Sequence, residues 1–143
     1  MCIRDSSNPA PVGSEVSVNN MTFTLLEAVR PADEIVAEGN MFNPTPEEGS
    51  EYVLVRLSIR CDRGPDATCR PAVFEFSIVD SGGLVHDPSI MTSGVPGLLE
   101  FDEMFGGATK TGGLIFEVPE DDAGLVLIYE PLLSTTKTYL VIP

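Results

Sequence analysis

Tryptophan is absent from this chain and histidine occurs once, at His86. With no tryptophan, no sugar-binding platform accompanies Glu117 and Glu120, the carboxylates that could be posed as a glycosidase pair. With one histidine, any Ser-His-Asp or Cys-His site has to use His86. Asp87 adjoins it, but no nucleophile elbow does. Cations are scarce: eight Lys and Arg stand against 22 Asp and Glu, a net charge of −14. Such a chain repels phosphate backbones and anionic lipid head groups, which argues against nucleic-acid binding. No apolar run reaches about 18 residues, so no membrane-spanning helix is expected. The pairs Gly82-Gly83, Gly106-Gly107 and Gly112-Gly113 lack a following Lys-Ser/Thr, so they are turn and bulge glycines rather than phosphate loops. The methionines are scattered and form no copper-binding cluster.

Cysteine is also rare, with three copies. Cys2 lies in Met1-Cys2-Ile3-Arg4-Asp5-Ser6, which resembles the translation of a transposase adapter used in library preparation. Residues 1–6 are therefore expected to be an artefact, with the native start lost upstream together with any signal segment. Cys2 as a lipoprotein acylation site is the weaker reading, because no apolar stretch precedes it. Cys61 and Cys69 flank a Gly64-Pro65 turn. They form either a disulfide, which implies an oxidising compartment, or two free thiols. A metal site would need further Cys or His ligands nearby, and none is present.

Most of the rest reads as strands. In Glu51–Arg60, Val53, Val55, Leu57 and Ile59 share one parity, and Leu54, Arg56, Ser58 and Arg60 the other. This alternation marks a half-buried strand, around which the other strands are organised. Ser7–Gly13 reads as a linker, and residues 14–143 as one domain. Glu15–Val18 is a short strand with an Asn19-Asn20 turn, followed by a strand over Met21–Arg30 with a bulge near Leu25-Leu26. Asp33 is expected to N-cap a short helix over 33–39. Ala72–Asp80 is read as a strand with Phe74, Phe76 and Ile78 on one face, turning at Asp80–Gly83 into a short strand at Leu84–His86. A turn of helix is expected near Leu98–Met104. Thr111–Pro119, Leu125–Glu130 and Thr138–Ile142 complete about seven strands. The fold class is all-β, a two-sheet antiparallel immunoglobulin-like sandwich.

The segments MTFTLLEAV, MFNPTPEEGSEYVLVRLSI, FSIVDSGGLVHDPS and TGGLIFEVPEDDAGLVLIYEP come in an order with a known counterpart. They resemble the immunoglobulin-like domains of unknown function found in bacterial exported proteins and lipoproteins, of the immunoprotective extracellular superfamily. The resemblance implies a β-sandwich, export or a lipid-anchored outer surface, and no agreed enzymatic activity. On this basis the chain is expected to be a non-enzymatic extracytoplasmic binding or spacer module. Its partner would be a protein or another component of the cell envelope. No catalytic, cofactor-binding or metal-binding residue is assigned. The alternative is a calcium-dependent adhesion module. It would use Glu47-Glu48-Glu51, Glu100-Asp102-Glu103 or Glu117-Glu120-Asp121-Asp122, since calcium takes six to eight oxygens. None of these groups matches an EF-hand loop.

Overall fold

The computed structural model describes residues 9–89, 94–131 and 137–143. The adapter-like Met1–Ser6 segment lies outside them. The elements are β1 (Glu15–Val18), β2 (Met21–Val29), α1 (Asp33–Gly39), β3 (Ser50–Cys61), β4 (Thr68–Cys69), β5 (Phe76–Val79), β6 (Val85–His86), β7 (Met104–Phe105), β8 (Thr109–Pro119), β9 (Val126–Tyr129) and β10 (Thr138–Val141). One sheet has the order β1-β2-β3-β8 and the facing sheet β10-β9-β5-β6, with β4 and β7 as a small separate pair. All strand pairs are antiparallel. In immunoglobulin terms, β2, β3 and β8 occupy the places of strands A, B and E. Strands β6, β5, β9 and β10 occupy those of C′, C, F and G.

β3 is central because it pairs along its length with both β2 and β8. Val53, Val55, Leu57 and Ile59 are fully buried between the sheets, as their parity predicts. The opposite parity is more apolar at its start than a half-buried strand requires. Tyr52 and Leu54 are buried there in a second cluster with Ala32, Val36, Val95 and Ile115, so α1 covers the back of the sheet. The exposed part of that face begins only further along, and Arg60 is its exposed end.

The β1–β2 turn has Asn19 and Asn20 at φ 53° and 58°. Positive φ at both central residues makes a two-residue turn whose twist suits the flanking strands. Further along β2 the register with β3 slips between Leu25 and Glu27, leaving Leu26 as the bulged residue. The slip brings Glu27 beside Arg56, with a 2.9 Å ion pair.

Five sequence expectations need correction. Asp33 is the first helical residue rather than the cap, which falls on Ala32 with no side-chain capping bond. The Asp33 carboxylate accepts the Tyr52 N–H instead, at 2.8 Å. The strand read from Ala72 begins only at Phe76, because Val73–Glu75 is a 3-10 turn. There the Glu75 carboxylate accepts the Ala72 N–H at 2.8 Å, and this local bond competes with the ladder. Phe74 is consequently 65% exposed rather than buried. No helix forms at Leu98–Met104: Leu99 N–H donates to the Gly113 carbonyl, and Gly113 N–H to that of Gly97. That segment lies along the edge of β8, and a side chain at Gly112 would come within 2.6 Å of the Leu99 Cα. Gly112 and Gly113 keep regular register with β3, so they permit close approach rather than a bulge. Finally, within the expected linker Ala10 is fully buried and exchanges two backbone bonds with β10.

Candidate functional site

His86 lies on the edge strand β6, and its Nε2 is 2.9 Å from Asp80 Oδ2. Asp80 also accepts the backbone N–H groups of Gly82 and Leu84, at 2.9 and 3.0 Å. The His86 bond, followed by the Leu84 N–H, holds the Asp80 carboxyl below the usual carboxylate range. Ser81 Oγ is committed elsewhere, to Asp122 Oδ2 at 2.9 Å. Ser81, His86 and Asp80 therefore form no proton relay. The arrangement organises the β5–β6 turn. Asp62 behaves alike: the Thr22 hydroxyl, then Arg60, lowers its carboxyl.

Both groups have depressed folded-state values, so their stabilisation is present above the unfolded aspartate pKa of about 3.9. It is lost as pH falls through the lower folded values. We expect the melting temperature to drop on acidification below about pH 4. Asp80→Asn should lower it at neutral pH and show a shallower acid fall. Calorimetry across pH checks this, and parallel wild-type and variant curves would refute the role of Asp80.

Cys61 and Cys69 are joined by a disulfide with Cα atoms 5.8 Å apart. The bridge ties the end of β3 to β4, and β4 pairs with β7. Both half-cystines are buried. Closing so short a ring removes unfolded-chain entropy worth about 2.5 kcal/mol. Cys61→Ser/Cys69→Ser should lose that much in urea unfolding and coincide with the reduced wild type. Equal midpoints for the oxidised wild type and the variant would contradict this.

The carboxylates of the acidic groups are engaged largely with backbone N–H groups and cations. Glu51 pairs with Arg30 at 2.6 Å and accepts the Asp121 N–H at 3.1 Å. Glu117 accepts the Glu47 N–H at 3.0 Å. Asp102 pairs with Lys110, and Glu103 with Arg70 at 3.6 Å. Asp122 receives Ser81 and caps the Gly124 N–H. Among the described residues, no three His, Cys, Asp or Glu side chains gather around one point as ligands for a cation. The first and third acidic groups adjoin through the Glu117–Glu47 and Glu51–Asp121 bonds, without making such a cluster.

Sequence reasoning missed a concavity. A groove of about 600 Å³ lies between α1 and residues 43–50. Ala37, Pro44 and Pro46 give it apolar surface, and Asp33, Glu34, Glu47, Glu48 and Glu120 surround it. The loop is pinned at several points. Tyr52 OH donates to the Pro44 carbonyl at 2.9 Å, and Asn43 Nδ2 to that of Val36 at 2.8 Å. At the far end Glu120 N–H donates to the Gly49 carbonyl at 3.0 Å. Met41 and Phe42, immediately before this loop, are 85% and 84% exposed. One signal was available in the sequence: residues 31–50 carry five carboxylates and no cation.

The fold has solved counterparts. The yjhA protein of Bacillus subtilis superposes with a TM-score of 0.63 at 13% identity, covering 94% of this chain and 99% of that one. MPT63, a secreted protein of Mycobacterium tuberculosis, gives 0.61 at 13% identity, covering 93% and 95%. The ycdA protein of Bacillus subtilis, a candidate lipoprotein, gives 0.63 at 13% identity, covering 88% of this chain and 37% of that one. At such identities the likeness speaks to fold alone. A search of curated proteins finds no match. At the level of sequence families, residues 10–138 match DUF4352, a domain of unknown function. That match spans most of the chain, and the chain belongs to this family.

Proposed function

We propose that the domain is a non-enzymatic module that works outside the cytoplasm, as a binding or spacer unit of an exported or lipid-anchored bacterial protein. The Cys61–Cys69 disulfide carries this reading, since such bonds persist in oxidising compartments and are rare in the cytosol. The secreted and candidate-lipoprotein counterparts support it. So does the use of polar side chains: His86, Ser81, Asp80, Asp122 and Glu51 each hold a turn or a loop. Calcium-dependent binding gains no support, since among the described residues the carboxylates form no cation-ligating cluster.

The test uses intact source cells. External protease should degrade the domain without lysis. Acid-quenched cells, alkylated under denaturing and non-reducing conditions, should yield the Cys61 and Cys69 peptides still linked. A protease-protected domain with both cysteines alkylated would overturn the proposal.

A further inference from the structure

Taking the domain to be an extracytoplasmic binding module, we propose that the groove between α1 and residues 43–50, with the adjoining Met41 and Phe42, docks a segment of a partner protein in which Lys or Arg alternates with apolar side chains. Charge selects the partner. Asp33, Glu34, Glu47, Glu48 and Glu120 surround the groove, and none of its lining residues is basic. Among the described residues, none of these five carboxylates takes part in an ion pair. A cationic segment entering the groove therefore meets uncompensated negative potential.

The apolar part of the preference comes from the surface beneath and beside those charges. Ala37, Pro44 and Pro46 line the groove, and Met41 and Phe42 stand almost wholly in water. Met41 and Phe42 directly precede Asn43, which lines the groove, and neighbouring exposed apolar side chains mark an interaction surface more often than scattered ones do. The surface is also held in place before binding. Asn40 Oδ1 accepts the Phe42 N–H at 2.9 Å, Asn43 bonds to α1, Tyr52 to Pro44, and Glu117 to Glu47. Preorganisation of this kind reduces the ordering cost of association.

A second copy of the chain does not suit the groove. Five of the eight cations, Arg30, Arg56, Arg60, Arg70 and Lys110, are already in ion pairs, and two copies at −14 each repel. Nucleic acid and anionic lipid are repelled for the same reason.

The experiment uses the purified full chain and three short labelled peptides: alternating Lys/Leu, alternating Glu/Leu, and alternating Lys/Ser. Fluorescence anisotropy is read at about 0.05 M and about 0.5 M salt. The Lys/Leu peptide should bind saturably, weaken at high salt, and outcompete both others. Met41→Ser/Phe42→Ser should weaken it about tenfold, as should Glu34→Gln/Glu47→Gln/Glu48→Gln. Glu15→Gln/Glu130→Gln, remote from the groove, should leave affinity within about twofold. Melting curves confirm that each variant is folded. No saturable binding up to about 1 mM would overturn the proposal. So would equal binding of the Glu/Leu peptide, or equal losses in the groove and remote variants. These outcomes are read on purified protein and leave the cellular location to its own test.

Discussion

Phe76→Ala should lower the unfolding free energy by about 3–5 kcal/mol. Phe76 opens β5 and is almost completely buried. Its ring centroid lies 5.8 Å from that of Phe23 on β2 and 5.1 Å from that of Tyr129 on β9. Phe101 packs on it as well, at 6.0 Å. Phe23 belongs to one sheet and Tyr129 to the other, so the ring fills the space that joins the two layers. Removing it forfeits transfer free energy and leaves a void that relaxed strands cannot close, because three neighbouring rings hold its walls apart. Phe74→Ala is the matched control, with the same chemistry two residues earlier. Its side chain is exposed, so its change should stay within about 0.5 kcal/mol. Urea unfolding gives both values. Similar losses at the two positions would restore a continuous strand from Ala72 and remove the 3-10 turn.

That pair of phenylalanines shows where the sequence is informative. The inward parity of β3, from Val53 to Ile59, is reported correctly because a long strand paired on both sides has little freedom in which face turns inward. Alternation at Phe74-Phe76 misleads because a single carboxylate, Glu75, bonds to the backbone of Ala72 and draws the chain into a turn. The Asn19-Asn20 turn and the bulge at Leu26 are legible, since both rest on local backbone preference. The path of residues 94–105 is not. Its backbone partners are Gly113 and the residues of β4, far away in sequence, and nothing local announces them.

The same distinction holds for the functional features. The cysteines can be picked out as a pair because they are rare and close together. The groove escapes notice because its acidic residues come from α1, the 43–50 loop and the β8–β9 turn, and read singly as solvated charge. Glu51 is the sharpest case. In sequence it is one more acid beside Glu47 and Glu48. In the fold it is buried and bonded to Arg30, the last residue before Pro31.

Arg30→Met should therefore destabilise the domain by about 2–4 kcal/mol, since it leaves the Glu51 carboxylate buried without its cation. The side chains of Arg30 and Glu51 are 16% and 10% exposed, so water offers little compensation, though enough to keep the loss below that of a fully enclosed pair. The guanidinium also reaches the Asp122 carbonyl at 2.5 Å, and Glu51 takes the Asp121 N–H. Asp121 has φ 61°, a conformation unfavourable for a non-glycine residue and held here by these bonds. Losing Arg30 should thus free the β8–β9 turn as well, seen as faster amide exchange at Asp121 and Gly124. Arg30→Met/Glu51→Leu removes both charges and should recover more than half of the loss, because an apolar pair needs no compensation. A double variant no more stable than Arg30→Met would mean that the carbonyl bonds of Arg30, rather than its charge pairing, hold the turn. A single variant as stable as wild type would mean that Glu51 moves its charge into solvent once Arg30 is gone.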